Sequence, residues 1–307
     1  MLRKRLQGRV SIKVMVSNDD IQDFLTDCKS RNLSPQTLVL NKGVLSAFLN
    51  FCEDSSTTPT RIKEFLAAKS ASTSKATARR YYTVLQSFFK YTYNEGLIDE
   101  NPMETVSPPK APTPLIEPLT AKELASMLNL PTENRFIPSR DKLIIYILID
   151  CGLRVSELIN LKLSDVGDSY LIIRHGKGDK ARQVPFGDTT GKHLRRYLAR
   201  RGELRSDLLI VNSFGELTRR ENIHRIIEFA AKGVGITRHV YPHLLRHSFA
   251  TQFLREGGDV FALQRMLGHS SLAMTRRYVE LADEDIANQH RRYSPADRLS
   301  KSTRKRL

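Results

Sequence analysis

The 307-residue chain carries 49 Lys and Arg against 33 Asp and Glu, a formal net charge of +16 that favours a polyanionic partner. No apolar run reaches the length of a membrane span and the opening residues lack the apolar core of a secretion signal, so a soluble cytoplasmic protein without a membrane partner is expected. Its three cysteines, Cys28, Cys52 and Cys151, are odd in number and widely spaced, which argues against a disulfide framework or a zinc knuckle.

The first hundred residues read as helices. Ser17 to Asp20 can cap a helix carrying Ile21, Phe24 and Leu25. Ser34-Pro35 opens a longer one whose apolar face is Leu38, Leu45, Phe48 and Leu49. Arg61 to Lys69 makes a short third, with Ile62, Phe65 and Leu66 inward. The fourth starts near Ser74 and ends at Gly96, and Tyr81, Val84, Leu85, Phe88 and Phe89 form its core stripe. Lys75, Arg79 and Arg80 fall mostly off that stripe, a position that suits solvent and phosphate equally.

A proline-rich stretch, "TVSPPKAPTPLIEP", follows and reads as a stiff extended linker over residues 105–118. A second domain begins at "LTAKEL", where Thr120 and Glu123 match a capping box. Leu143 to Ile149 predicts an apolar helix that breaks at Cys151-Gly152, and Arg154 to Leu161 a second. "YLIIRH" and "ARQVPF" flank "GKGDK" as strand, turn and strand. Further helices are expected over Thr190 to Arg200, over Thr218 to Ala231 with Thr218 and Glu221 as a capping box, over Val260 to Leu267, and over Leu272 to Val279. "YPHLLRHSFATQFLREGG" adds one more, with Pro242 at its first turn and paired glycines at its exit.

That last helix sets His243, Arg246 and His247 at i, i+3 and i+4, on one side. A zinc helix would need an acidic residue where Leu244 stands, and Arg246 would repel a cation, so a metal fits poorly. A phosphate fits better, because a guanidinium offers a rigid fork of donors to two phosphate oxygens. Arg154, on an otherwise apolar segment, is a second such arginine. Glu157, three residues on, suits it equally as a structural ion-pair partner or as a brace for a ligand-gripping tip. Lys177 lies between two glycines in the strand turn, with Lys180 and Arg182 beyond it. In "LGHSSLAMTRRY", Gly268-His269 ends one helix, Ser270 or Ser271 caps the next, and Tyr278 sits in its last turn. Taken singly, each of these is an ordinary surface or packing residue.

Taken in order, "CGLRVSEL", "GKGDKARQVPF", "HLLRHSFAT" and "LGHSSLAMTRRY" resemble the motifs of the tyrosine recombinases, or phage integrase family. The likeness spans nearly the whole chain and is strongest in the second domain. It implies a mainly α protein: a helical core-binding domain over residues 12–104 (four helices, SAM-like), the linker, an α+β catalytic domain with a small antiparallel sheet over 119–292, and a basic tail over 293–307. The two domains would then form a C-shaped clamp around duplex DNA. Fewer than twenty residues precede the first helix, so the short Xer-like or transposon-borne members are the better match.

The resemblance also implies an enzyme, a DNA strand transferase that exchanges strands through a 3′-phosphotyrosyl intermediate in integration, excision, resolution or transposition. It makes Tyr278 the nucleophile, Arg154 and Arg246 the clamp on the non-bridging oxygens, and Lys177 the acid for the departing 5′ oxygen. His243 becomes the acceptor of the tyrosine proton, His269 a donor to phosphate, and Glu157 and His247 supporting residues. Lys75, Arg79, Arg80, Lys180 and Arg182 become candidate DNA contacts. The implied partners are double-stranded DNA with paired core sites and a homotetramer on synapsed DNA, monomeric or weakly associated when free. "VELADEDIANQHRRYSP" would dock on a neighbouring subunit or pack on its own. Neither a cofactor nor a metal is expected, because the tyrosyl ester keeps the bond energy needed for rejoining.

Overall fold

The structure, a computed structural model, describes residues 16–52, 57–110, 116–131, 135–174, 181–269, 271–282, 290 and 294–296. It divides into two compact units, Met1–Leu115 and Ile116–Leu307. The expected sites at Lys177, Lys180 and Ser270, and the expected docking segment after Ala282 but for a few isolated positions, lie outside the described residues.

Among the described residues, four helices build the first unit: α1 (Asn18–Ser30), α2 (Pro35–Cys52), α3 (Pro59–Ser72) and α4 (Lys75–Asn94). Each start has a local cause. Ser17 closes a capping box with Asp20, while Thr58 and Ser74 accept from the backbone N–H three residues on. Pro35 and Pro59 open α2 and α3, where a missing N–H costs nothing. The core is aromatic, with Phe24 edge-on to Phe88 at 5.4 Å and Phe48 edge-on to Phe65 at 5.1 Å.

Tyr81 packs against this core, edge-on to Phe65 at 5.7 Å, and a second tyrosine lies deeper. On α4 the buried tyrosine is Tyr82, and Tyr81 is only half-buried. The Tyr82 hydroxyl donates to the Val106 carbonyl at 3.1 Å, a partner beyond the helix that repays burying it. Lys75, Arg79 and Arg80 are exposed on this helix, away from the core.

The second unit is built on α6 (Phe136–Cys151), which packs against α5 (Ala121–Leu128), α8 (Asp188–Arg201), α9 (Arg220–Gly233) and α10 (Pro242–Arg255). Leu143, Ile144, Ile145, Ile147 and Leu148 are all buried, as a helix apolar on every side must be. The helix begins seven residues before the expected Leu143, because Pro138 falls in its first turn, where proline is tolerated. The Thr120–Glu123 capping box is present at the start of α5.

Beyond α6 lie α7 (Val155–Ile159), a 3-10 turn (Leu163–Asp165), β1 (Tyr170–Ile173) and β2 (Arg182–Pro185). The strands pair antiparallel in the register Tyr170–Pro185 to Ile173–Arg182. α7 is shorter than the expected Arg154 to Leu161: Arg154 is its N-cap, and Leu161 leaves the helix to accept from the Leu209 N–H at 2.7 Å. The expected capping box at Thr218 does not form. Thr218 is fully buried beside the Val211–Leu217 bridge, and α9 starts after Arg219 with no side-chain cap. α11 (Val260–Leu267) and α12 (Ala273–Ala282) complete the unit, packing on α10 and on each other.

Cys28, Cys52 and Cys151 are buried free thiols. Among the described residues, no helix is long and apolar enough to cross a membrane.

Candidate active site

Two glycines shape the backbone around the arginines. Gly152 ends α6 with φ 60°, and a Cβ there would meet the Phe249 ring at 2.3 Å, so both conformation and space demand glycine. The turn aims the Gly152 carbonyl at Arg246, which donates to it through Nη1 at 2.7 Å. Gly268 ends α11 with φ 65°, and a Cβ there would stand 3.1 Å from the Arg182 guanidinium.

The C-terminal end of α11 is a carbonyl-rich, negatively polarised edge, and three arginines converge on it. Arg246 Nη2 donates to the Leu267 carbonyl at 2.7 Å, Arg154 Nη1 to the same carbonyl at 3.4 Å, and Arg182 Nε to the Met266 carbonyl at 2.8 Å. Glu157 holds the three together from the other side. Its carboxylate accepts from Arg154 Nη1 at 2.9 Å and Arg182 Nη2 at 2.9 Å, and lies 4.0 Å from Arg246 Nη1. It also accepts from the Arg154 backbone N–H at 2.9 Å, which starts α7.

Burial separates the arginines. The Arg246 side chain is 3% exposed and the Arg154 side chain 37% exposed, so one is a fixed wall and the other opens toward solvent. Burial and the neighbouring Arg154 charge bring the Arg246 pKa down to about 10, against the opposing pull of Glu157 and Tyr278. The group therefore stays cationic at neutral pH. Burial pushes the Glu157 carboxyl up, but its bonds to Arg182 and Arg154 outweigh that and hold it below its ordinary value.

A cavity of about 290 Å³ opens beside these groups, lined by Arg154, Arg220, His224, Tyr241, His243 and Arg246 among others. Pro242 places the N-terminal end of α10 at its wall, where backbone N–H groups and the helix dipole favour an anion. His243 is exposed on the first turn and faces this space. The cavity thus offers convergent cations, imidazoles and a positive helix end, an arrangement suited to one phosphodiester.

Tyr278 lies on α12 in an apolar cluster with Phe249, Ala250, Leu263 and Leu267, and it is fully buried. Its ring stands between two imidazoles, with centroids 5.0 Å from His247 and 6.2 Å from His269. His247 is buried and its Nε2 meets the Ile116 carbonyl at 3.0 Å, a contact that anchors the ring. His269 meets Arg246 Nη2 through Nε2 at 3.3 Å.

The structure therefore brings Arg154, Glu157, His243, Arg246, His247, His269 and Tyr278 into one region. Arg182 departs from the surface DNA contact expected of it: its side chain is 11% exposed and committed to Glu157 and Met266. Arg220 and His224 were not singled out in the sequence, although their position off the buried Ile223 and Ile227 stripe of α9 marks them as outward-facing. Among the described residues no group of three His, Cys, Asp or Glu is placed to hold a metal ion.

Glu157→Gln tests the hub. It leaves three arginines without their shared counter-charge and is expected to cost roughly 3–5 kcal/mol, the usual penalty for breaking a buried ion pair. Because the folded carboxyl titrates below its ordinary 4.5, its contribution is complete above that value and is lost as pH falls through the folded pKa. Denaturant midpoints at pH 7 and in acid well below the ordinary carboxyl value check both points: the wild-type advantage should shrink only there, and equal midpoints at pH 7 would remove the hub role.

Comparison with known proteins locates the same region. The model of the Phage integrase family matches residues 117–285. The tyrosine recombinase XerC of Thermodesulfovibrio yellowstonii is 35% identical over 274 residues, covering 85% of this chain and 91% of that one. The tyrosine recombinase XerD of Proteus mirabilis is 36% identical over 248 residues, covering 78% and 79%. A crystal structure of the XerH site-specific recombinase bound to palindromic difH substrate, a post-cleavage complex, superposes with a TM-score of 0.72 over 90% of this chain and 85% of that one. Its 24% identity makes that likeness one of fold.

Proposed function

This chain belongs to the phage integrase family, the tyrosine recombinases, and from that membership and the site geometry we infer which residues carry its strand exchange. The chain is a site-specific recombinase that cuts and rejoins DNA through a phosphotyrosyl intermediate. The single observation that supports the residue roles is the convergence of Arg154, His243 and Arg246 on one cavity, with Tyr278 on the helix packed behind.

In this reading the Tyr278 oxygen attacks phosphorus, and the bond to the 5′ oxygen breaks. The tyrosine proton passes to His243, and Lys177 gives a proton to the departing 5′ oxygen. Arg154 and Arg246 bind the non-bridging oxygens as charge builds on them, the office that positioned cations perform in phosphoryl transfer. His269 donates to a phosphate oxygen, while His247 fixes the tyrosine ring. The tyrosyl ester stores the energy for rejoining, so the reaction proceeds without ATP or a divalent ion. Residues 12–104 serve as a four-helix, SAM-like core-binding domain and residues 119–292 as the catalytic domain. Lys75, Arg79, Arg80 and Lys180 contact duplex DNA, and four chains assemble on two paired sites.

Covalent capture tests the reading. The full chain is incubated with nicked duplex fragments of randomised sequence in EDTA, denatured, and resolved from free DNA. A protein–DNA adduct is expected, and sequencing its DNA gives the target site. Retention of DNA that disappears entirely on denaturation would instead mark a binding module without strand-cleavage chemistry.

A further inference from the structure

Three elements of the second unit meet at one side chain. Arg182, the first residue of β2, donates through Nε to the Met266 carbonyl in the last turn of α11 at 2.8 Å. Through Nη2 it donates to the Glu157 carboxylate on α7 at 2.9 Å. Nε and Nη2 share one edge of a rigid plane, so a single fork fixes a carboxylate and a helix end relative to each other. The face of the same group is covered as well. A Cβ at Gly268 would stand 3.1 Å from the Arg182 guanidinium carbon, and its absence lets the backbone leaving α11 lie against the plane.

What Arg182 holds is in turn a support for the arginines of the cavity. Glu157 divides its carboxylate: Oε2 accepts from Arg182 and from the Arg154 backbone N–H, and Oε1 accepts from Arg154 Nη1. The carbonyl next to that of Met266, on Leu267, receives Arg246 Nη2 and Arg154 Nη1. Among the described residues, both side-chain bonds of Arg154 therefore run through Nη1, which leaves Nε and Nη2 for an anion in the cavity that Arg154 lines. Arg182 is not among the residues lining that cavity, and its side chain is largely buried. It can act on a phosphate there only by placing other groups.

We propose that Arg182 is a positioning residue for strand cleavage: its fork sets Glu157 and the end of α11 so that Arg154 and Arg246 stand ready for the phosphate. The proposal rests on the recombinase reading for its effect on rate, but not for its effect on the pocket.

Two variants of the full chain test it. Arg182→Met keeps the stem and loses the donors, and Arg182→Lys keeps a cation beside Glu157 but loses the fork. Single-turnover cleavage of a nicked duplex at saturating protein, recovered by covalent capture, should fall roughly 10²-fold in the methionine variant, the scale of a small misplacement of reacting groups. It should fall roughly tenfold in the lysine variant, the scale of one hydrogen bond lost. Affinity for duplex, and its dependence on salt, should stay at the wild-type values in both, because a direct phosphate contact would take about one from the salt slope. Combining Arg182→Met with Glu157→Gln should cleave about as slowly as the slower single variant, since both act through one carboxylate. Hydrogen exchange of the DNA-free protein should rise around Arg154 to Glu157 and around Met266 to Gly268, and not elsewhere in the second unit. Should the methionine variant fail to fold, the lysine variant carries the same comparison. Wild-type cleavage in the lysine variant overturns the proposal, and so does a shallower salt slope, which would make Arg182 a DNA contact. Defects that multiply in the double variant, unchanged exchange, or exchange that rises across the whole second unit overturn it too. If the wild type captures no DNA, the functional reading fails, while the exchange pattern still decides whether Arg182 sets the pocket.

Discussion

Tyr278→Phe is expected to abolish covalent capture of DNA while leaving the protein folded and able to bind duplex. Removing the nucleophile from a site whose members act as a unit costs on the order of 10⁴-fold or more in rate. The fold should tolerate the change, since the ring sits among Phe249, Leu263 and Leu267, and phenylalanine fills the same volume. Loss of the buried hydroxyl costs about 1 kcal/mol. Denaturing gels after incubation with nicked duplex, set beside a native mobility shift and a thermal melt, separate the three quantities. An adduct surviving in the phenylalanine variant would hand the nucleophile's place to another residue. Loss of binding together with the adduct would show that the hydroxyl serves the fold or the DNA interface as well.

Much of the scaffold in each unit was legible because its causes are local. The Thr120–Glu123 box, the prolines that open α2 and α10, and the break at Gly152 act over a few residues, and each stands where the sequence places it. The Arg154–Glu157 pair was visible for the same reason, at i, i+3. What was not legible depends on partners far along the chain. Arg182 meets Glu157 and the Met266 carbonyl, 25 and 84 residues away, and only the fold turns a charged strand residue into part of the arginine cluster. Tyr82 joins Tyr81 at the core, and its hydroxyl is taken by the Val106 carbonyl, 24 residues on. Thr218 had the spacing of a cap, but it is fully buried beside the Val211–Leu217 bridge.

The same division explains the catalytic set. Motif order singled out Arg154, His243, Arg246, His269 and Tyr278, since each lies in a short stretch of recognisable pattern. The supports between them run across elements: Arg182 to Glu157, and the end of α11 to Arg154 and Arg246. A single sequence holds no signal for a carbonyl as a ligand.

Arg246→Ala and Arg246→Lys are expected to fail for different reasons and by similar amounts. Alanine removes a preorganised donor from the phosphate, a loss of about 10²–10³ in rate for one such group. Lysine keeps a positive charge but not the fork. Arg246 reaches the Gly152 and Leu267 carbonyls at 2.7 Å each and His269 at 3.3 Å, and one ammonium on a flexible stem cannot span those directions. Burial also acts harder on lysine. It brings the arginine only to about 10, still charged at neutral pH, whereas a lysine starts lower and loses its charge more readily in the same place. Single-turnover cleavage should therefore place the lysine variant nearer to alanine than to wild type. Both variants should also unfold at lower denaturant concentration, because the Gly152 and Leu267 carbonyls lose their buried guanidinium donor. A lysine variant cleaving at the wild-type rate would show that positive charge alone suffices at this position, and the forked grip on phosphate would have to be assigned elsewhere.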